Sequence, residues 1–412
     1  MREILHRIGT GGLVLAAAIL ASAPASAQFK IGYIDPLSGG AASAGINAQK
    51  HIVFFADKIN AAGGLNGEKI EILSYDNKVN PQESLIMLKK AIDEGARIIM
   101  QGNGSSVALA LTDAVAKYNE RNPGKEVLFF NYAAIDPALT NDRCNFWHFR
   151  FDADVDMKMA AFGDAIAKDP SIKKVYLINQ DYSFGKAVAA AARRTLAARR
   201  PDVEIVGDEL HPLQKVQDFS PYVAKIKASG ADTVITGNWS NDMLLLFKAG
   251  KDADLKVKYF TYYGGGLGSV PAIGHDGVGY VKQVTEHHKN VMPTLLPDEA
   301  AFEKRFTDKS DELYYWRVRN MFAMLQAAAK KAKSNDPVKL AQALEGMKLD
   351  TPLGPMEMRA DNHQLLQPLF VSTLSDKVKY DVEKSGLGFR TDAKIPAEET
   401  AMPTTCKMQR PS

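Results

Sequence analysis

The chain has 412 residues, of which 46% are hydrophobic and 24% charged, and its formal net charge is +3 at pH 7. A chain of this length exceeds the usual span of a single hydrophobic core, so we expect two domains in a soluble globular protein. Acidic and basic residues are mixed along the sequence, and this balance argues against a nucleic-acid partner.

Residues 1–27 have the pattern of a secretory signal peptide. Arg2 and Arg7 precede an apolar run at 11–21, and Ala25-Ser26-Ala27 supplies the small residues of a cleavage site. The run is shorter than the roughly 20 apolar residues that a membrane-spanning helix needs, and no later segment approaches that length. We therefore expect an exported protein that begins at Gln28 and does not insert into the membrane.

The first part of the mature chain alternates between strand-like and helical patterns. Apolar runs predict strands at 29–34, 69–75, 96–100 and 126–131, and the spacing of apolar residues predicts helices at 46–60, 83–94 and 108–118. Pro81 stands at the start of the second helix, where proline is favoured. This alternation predicts a parallel α/β sheet.

The same alternation starts again after residue 158. Strands are predicted at 175–179, 204–209 and 233–237, and helices at 187–200 and 219–228. We therefore expect a second α/β domain. Loops at the carboxyl ends of parallel strands are where such sheets bind ligands, so we expect a binding cleft between the two domains.

Several segments of the sequence together resemble one protein family. They read IGYIDPLSGGAASAG, NAAGGLNGEKIEILSYDNKVNPQES, YAAIDPALT, Phe149-Arg150, NQDYSFGK and DFSPYVAKIKASGADTVITG. In order and spacing they are similar to the periplasmic binding proteins of the branched-chain amino acid transporter class, from residue 30 to about residue 381. The resemblance implies a periplasmic receptor, not an enzyme, that closes on a small ligand and delivers it to the permease of an ABC transporter.

The resemblance also implies a type I periplasmic binding fold, in which two α/β lobes with parallel sheets are joined by three crossovers. Lobe 1 is expected to contain residues 28–151 and 289–365, and lobe 2 residues 152–288 and 366–412. The crossovers are expected near 151–154, 286–290 and 358–367. Hinge closure around a ligand between the lobes is the expected motion.

Loops rich in glycine and serine follow the first and third predicted strands. The first loop contains Ser38, and the second contains Ser105 and Ser106. Placed before helices, such loops present backbone N–H groups and hydroxyls to an anion. In the resembling family a serine of the second loop holds the ligand carboxylate, and a backbone group at the position of Ala133 contacts the same end of the ligand. An ordinary strand-to-helix turn is the alternative explanation of both loops.

Two positions depart from the family members that bind an α-amino acid. Those proteins carry a threonine where this chain has Ile135, and a carboxylate for the ligand ammonium in the loop that here reads Tyr262-Tyr263-Gly264. An unpaired buried ammonium is strongly unfavourable. We therefore expect a small carboxylate ligand without a free α-amino group, unless Glu286 or Asp181 replaces the missing carboxylate.

Aromatic residues supply the rest of the predicted site. Tyr182, Phe184 and Trp239 lie in loops just past strand ends, and Tyr262 and Tyr263 begin a glycine-rich loop. Such rings stack on flat ligands, with ordinary core packing as the alternative for each of them. We therefore predict an aromatic carboxylic acid as the ligand, while branched-chain amino acids and aliphatic amides stay open.

A sensory ligand-binding protein and an exported enzyme are the rival classes. A sensory receptor would continue into a membrane span, and the sequence contains none after the signal peptide. An enzyme would need a nucleophile with a base, or a set of metal ligands. His287 and His288 are adjacent, so on a strand they point to opposite faces and form no chelate. We expect no catalytic residues, no metal and no cofactor.

The chain has two cysteines, Cys144 and Cys406, and both lie in the exported part. An oxidising compartment favours a disulfide between them, which would tie the C-terminal tail to the first half of the chain. Two unrelated buried thiols are the alternative.

Overall fold

The computed structural model describes residues 28–308 and 312–411, and the predicted signal peptide lies outside them. Strands in this part of the chain are β1 (Gln28–Asp35), β2 (Lys69–Asp76), β3 (Ile98–Gln101), β4 (Leu128–Asn131), β5 (His148–Arg150), β6 (Lys174–Gln180), β7 (Glu204–His211), β8 (Thr233–Thr236), β9 (Lys258–Thr261), β10 (Val281–Thr285), β11 (Lys348–Thr351), β12 (Gly354–Met358), β13 (Leu365–Leu366), β14 (Leu369–Ser375) and β15 (Gly388–Ile395).

The helices follow most of these strands. They are α1 (Ala42–Ala61), α2 (Pro81–Asp93), α3 (Ser105–Arg121), α4 (Val155–Ala167), α5 (Ser183–Arg199), α6 (Ser220–Ala228), α7 (Asn241–Asp252), α8 (Ser269–Ile273), α9 (Pro297–Arg305), α10 (Trp316–Ala332) and α11 (Pro337–Leu344). Within 28–308 and 312–411, no helix is both long and apolar enough to cross a membrane.

Two large sheets form the centres of the two lobes. The first sheet has the order β2-β1-β3-β4-β5, and all its neighbouring strands are parallel. The second sheet has the order β15-β14-β10-β9-β8-β6-β7, parallel from β10 to β7, with β14 and β15 joined antiparallel at one edge. The predicted α/β fold with two parallel-sheet lobes is confirmed.

The central strands are apolar on both sides because helices cover both faces of each sheet. In β1, Ile31 and Tyr33 are buried against residues of α1 and α10. Ile34, on the opposite face of the same strand, is buried with Leu88 of α2 and Leu111 of α3. A strand of this kind shows a continuous apolar run, which is why the sequence predicts its position well.

All the strands and helices named from the sequence are present, and the differences lie in where some helices begin. The structure begins α1 at Ala42, α3 at Ser105 and α5 at Ser183, three or four residues before the predicted starts. The first turns of these helices are built from small and polar residues, which carry no apolar periodicity. Each of these early starts lies at the carboxyl edge of a sheet.

The chain crosses from the first sheet to the second after β5, and buried polar contacts join this crossover to the segment around residue 364. Asp154 caps α4, accepting a hydrogen bond from Met157 N at 2.9 Å. Arg150 is fully buried, and it donates to Asp154 Oδ2 at 2.9 Å and to Gln364 Oε1 at 2.6 Å. Gln367 Nε2 donates to Phe151 O at 2.8 Å. The exact boundaries of the two lobes stay a proposal.

The predicted disulfide is present. Cys144 and Cys406 are bonded, their Cα atoms are 5.7 Å apart, and 262 positions separate them in the sequence. Thr404 Oγ1 donates to Thr140 O at 2.9 Å beside the bridge. The C-terminal tail therefore lies against residues that follow β4, on the side of the first sheet.

Candidate functional site

A cavity lies between the carboxyl edges of the two large sheets, and its space, counted together with the open solvent at its mouth, is about 570 Å³. Its first-sheet wall comes from loops after β1, β3 and β4 and from the start of α10: Ser43, Ala44, Gly102, Asn103, Gly104, Ser105, Ala133, Ala134, Ile135, Tyr314, Tyr315 and Arg317. Its second-sheet wall comes from loops after β6, β8 and β9: Tyr182, Phe184, Trp239, Ser240, Tyr263, Gly266 and Leu267.

The walls contact each other around the cavity. Ser43 Oγ lies 3.1 Å from Ser240 Oγ, and Tyr263 Oη donates to Ala133 O at 3.3 Å. These hydrogen bonds join the loops of the two lobes directly. The structure therefore has the two lobes closed on the cavity.

The helices that begin at the cavity have no side-chain cap at their N-termini. This holds for α1, α3, α5, α7 and α10. Among the helices that begin elsewhere, α2, α4 and α11 are capped, since Asn80, Asp154 and Asp336 accept hydrogen bonds from their first turns, whereas α6, α8 and α9 have no side-chain cap. The N–H groups of an uncapped first turn have no partner in their own helix, and together with the helix dipole they favour an anion.

Asp35, the last residue of β1, holds the loop before α3 in place. The carboxylate is fully buried and accepts hydrogen bonds from Gly102 N at 3.1 Å, from Asn103 N at 3.0 Å and from the Tyr132 hydroxyl. A Cβ atom at residue 102 would lie 2.5 Å from the Tyr132 ring, so only glycine fits there. Burial raises the pKa of Asp35 to about 7, although these hydrogen bonds oppose the rise.

Ser105 is the polar side chain at the start of α3. Its Oγ accepts a hydrogen bond from Asp136 N at 3.3 Å, so the hydroxyl proton is free to be donated into the cavity. Ala133 differs, because Ala133 N already donates to Asn131 Oδ1 at 3.2 Å and Ala133 O accepts from Tyr263. The backbone of Ala133 thus lines the cavity with both its polar groups engaged.

The second-sheet wall is a layer of connected rings. Trp239 Nε1 donates to Tyr182 Oη at 2.8 Å, which leaves the Tyr182 hydroxyl proton available as a donor. The Phe184 ring centroid lies 5.9 Å from that of Tyr182 and 6.0 Å from that of Tyr263. These edge and tilted contacts hold the rings in a fixed arrangement beside the cavity.

Four charged side chains are buried where the first-sheet wall meets the crossovers. Arg317 Nη1 donates to Glu286 Oε1 at 2.8 Å, and its Nε lies 3.5 Å from Asp152 Oδ2. Lys158 Nζ lies 2.9 Å from Asp152 Oδ1. Burial raises the pKa of Glu286, but attraction to Arg317 and Lys158 outweighs it and holds that pKa below its ordinary value. Arg317 alone of these four lines the cavity.

The structure brings part of the predicted site together. The predicted residues that line the cavity are Ser105, Ala133, Ile135, Tyr182, Phe184, Trp239 and Tyr263. The other predicted residues do not line the cavity, and their polar groups are bonded elsewhere. Ser38 donates to Asp76, Ser106 Oγ donates to Ser183 Oγ at 3.4 Å, and Tyr262 Oη donates to Val155 O at 3.3 Å. Gly264 N donates to Thr261 Oγ1 at 3.0 Å, and Glu286 lies behind Arg317. Asp181 is half-exposed and paired with Lys186 at 3.0 Å.

The sequence reasoning missed Asn103 and the residues at the start of α10. Tyr314, Tyr315 and Arg317 follow α9, outside the strand–helix alternation that located the other loops. The available signal was the run Tyr314-Tyr315-Trp316-Arg317, which joins aromatic residues to a cation. In the structure, Arg317 Cζ lies 4.6 Å from the Tyr315 ring centroid.

Comparisons with known proteins agree with this architecture. The family model described as "Periplasmic binding protein" matches residues 28–379. A Leu/Ile/Val-binding protein homolog 4 from Brucella melitensis is 36% identical over 411 residues, covering 97% of this chain and 98% of that protein.

Solved structures are similar over nearly the whole chain. The closed conformation of a leucine-, isoleucine-, valine-, threonine- and alanine-binding protein from Brucella ovis has a TM-score of 0.80 and 34% identity, covering 93% of this chain and all of that one. A solute-binding protein of an ABC transporter from Rhodopseudomonas palustris, in complex with 3,4-dihydroxybenzoic acid, has a TM-score of 0.75 and 22% identity, covering 90% of this chain and 98% of that one. The second likeness concerns the fold alone.

Proposed function

Because this chain belongs to the periplasmic binding protein family, we propose that the solute it binds is a small aromatic carboxylic acid. The protein is a periplasmic solute-binding receptor of an ABC transporter, and receptors of this family pass their ligand to the permease of the transporter. The identity of the ligand depends on the chemistry of the cavity lining.

The composition of the cavity lining carries the proposal. Among the described residues that line it, none is acidic, and Arg317 is the only charged side chain. A carboxylate finds the uncapped first turn of α3 and the free hydroxyl proton of Ser105. An α-ammonium finds no carboxylate in the lining, and burying it unpaired is strongly unfavourable.

The second-sheet wall supports an aromatic body for the ligand. Tyr182, Phe184, Trp239 and Tyr263 present ring faces and edges from one side of the cavity. Ile135 adds an apolar surface on the other side. A flat ring buried between such groups gains from apolar burial and from stacking.

Branched-chain amino acids are the second candidate. The relatives at 34% and 36% identity are named for leucine, isoleucine and valine binding. Glu286 and Asp152 lie directly behind Arg317, so a shift of the Arg317 side chain would bring a carboxylate to the lining. On this reading Glu286 takes the role of the ammonium partner.

A thermal-unfolding panel separates the two candidates. Benzoate, phenylacetate and a phenylpropenoate are compared with leucine, isoleucine, valine and an aliphatic amide, each at the same concentration. A ligand that binds only the folded state adds about 2.7 kcal/mol to the free energy of unfolding at 100 times its Kd, so even weak binders raise the Tm. We expect the Tm to rise with at least one aromatic acid and to stay unchanged with leucine. A rise with leucine and none with the acids would contradict the proposal.

A further inference from the structure

Arg317 has hydrogen-bond donors to spare. The guanidinium carries five N–H groups, and within 28–308 and 312–411 its side chain makes one hydrogen bond, from Nη1 to Glu286 at 2.8 Å. Its Nε, although buried, lies 3.5 Å from Asp152 without hydrogen-bond geometry. The residue is 2% exposed and lines the cavity. The remaining N–H groups of Nη1 and Nη2 make no hydrogen bond to the described residues, and a ligand in the cavity can supply them with an acceptor.

The Arg317 side chain is held in this position from several sides. Glu286 contacts both its guanidinium and its backbone N–H, the latter at 3.2 Å. The ring of Tyr315 stacks against the guanidinium carbon at 4.6 Å. Tyr315 Oη in turn donates to Ala44 O at 3.2 Å, which anchors the ring to α1. The donors are therefore preorganised before a ligand arrives.

The charges around Arg317 decide which kind of acceptor fits. Arg317 and Lys158 carry two positive charges, and Asp152 and Glu286 carry two negative charges in contact with them. The buried cluster is already neutral, so a second negative charge on the ligand would be desolvated without a counter-charge. A neutral oxygen accepts the same hydrogen bond without that cost.

We propose that Arg317 donates a hydrogen bond to a neutral oxygen of the ligand, and that the ligand class is an aromatic acid carrying a hydroxyl or carbonyl oxygen on its ring or side chain. This inference rests on the proposed function, because it assigns the carboxylate to α3 and the second oxygen to α10. Arg317 is then a specificity-determining residue.

Matched probes test this in the native protein by calorimetry. They are benzoate, its three monohydroxylated isomers, and the three benzene dicarboxylates. A hydrogen bond to a charged donor is worth roughly a factor of 10 or more in affinity, so we expect at least one hydroxybenzoate to bind about 10-fold tighter than benzoate. The dicarboxylates are expected to bind more weakly than benzoate.

Two variants separate recognition from a structural role. Arg317→Met combined with Glu286→Gln removes the donor and keeps the cluster neutral, and Arg317→Lys keeps the charge but loses the planar fork. Circular dichroism and the Tm check that each variant folds. In the double variant we expect the ratio of hydroxybenzoate to benzoate affinity to fall to about 1, whatever the change in the affinity for benzoate itself. A merely structural role would weaken both probes equally.

Each contrary outcome has its own meaning. If the acids bind but hydroxylated and plain probes bind equally, or if the double variant loses benzoate as much as hydroxybenzoate, this inference is overturned and the proposed function stands. If no aromatic acid binds and leucine does, the proposed function fails first. If the double variant does not fold, the inference is tested by the ratio of hydroxybenzoate to benzoate affinity in the native protein and in Arg317→Lys. A ratio of about 1 in the native protein overturns it.

Discussion

The two walls of the cavity offer different chemistry to a ligand. The first-sheet wall presents small residues, the uncapped start of α3 and the hydroxyl of Ser105, with Tyr314, Tyr315 and Arg317 beside them. Asp35 holds the loop before α3 from the side away from the cavity. The second-sheet wall presents rings, of which Tyr182 and Trp239 are joined by a hydrogen bond. Under the proposed function, N–H groups and the Ser105 hydroxyl of the first wall bind the ligand carboxylate, and the rings of the second wall bind its aromatic body.

Removing the ligand charge tests the first-sheet wall with the largest expected effect. The methyl ester of the tightest-binding acid loses the charge-assisted contacts, which are worth about 1.5–3 kcal/mol, so its Kd should rise about 10- to 100-fold. Calorimetry with acid and ester at the same pH measures the ratio. Equal affinity of the two would mean that the first-sheet wall does not hold a carboxylate.

Replacing a ring tests the second-sheet wall. Trp239→Ala removes a stacking surface and the donor to Tyr182, and it should weaken an aromatic ligand by about 1–3 kcal/mol, or roughly 5- to 100-fold in Kd. Trp239→Phe is the control, because it keeps a ring and loses only the hydrogen bond, so it should recover most of the affinity. An unchanged Kd in Trp239→Ala would show that the ring of Trp239 does not bind the ligand.

The Ser105 hydroxyl is a smaller contribution on the polar side. Ser105→Ala should raise the Kd of the acid about 2- to 10-fold, the range for one hydrogen bond of about 0.5–1.5 kcal/mol. Ser106→Ala is the matched control on the same helix. Ser106 does not line the cavity, and its hydroxyl makes only a long hydrogen bond of 3.4 Å to Ser183, so this substitution should change the Kd by less than about 2-fold. A larger effect of Ser106 than of Ser105 would reverse this assignment.

Asp35, which holds the loop before α3, should make the free energy of unfolding depend on pH. The pKa of Asp35 is raised by burial to about 7 when folded and is about 3.9 when unfolded, so the folded state takes up a proton in this interval. The stability from this group is complete below about pH 4 and is lost as the pH rises through about 7. Relative to Asp35→Asn, the free energy of unfolding of the native protein should therefore fall between pH 4 and 7.

Chemical denaturation of both proteins across this pH range measures the difference. Glu312, whose pKa is also raised by burial to about 7, titrates in both proteins and cancels. A difference that does not change with pH would show that Asp35 keeps an ordinary pKa.

How far the sequence predicts the molecule depends on the range of the interactions involved. Strands such as β1 show in local apolar runs, and Asn80 with Pro81 marks the start of α2. The starts of α1, α3 and α5 were placed too late, because their first turns contain small and polar residues without apolar periodicity and no capping side chain marks them.

Arg317 shows why other residues of the cavity were not predicted from the sequence. Its burial depends on Asp152 and Glu286, which lie 165 and 31 positions away along the chain and become neighbours only through the crossovers. Glu286 was predicted as a ligand-binding residue. In the structure it does not line the cavity but is hydrogen-bonded to Arg317, which does. Local sequence patterns carry no information about such a cluster.

The division of roles between the walls is tested most directly by a crystal structure of the protein with the aromatic acid that raises the Tm most. The account predicts a carboxylate oxygen about 3 Å from Ser105 Oγ and from an N–H group of the first turn of α3, a normal hydrogen-bond distance. The ring should lie against Trp239 and Tyr182. A carboxylate bound to Arg317 instead, with the ring against the first-sheet wall, would contradict it.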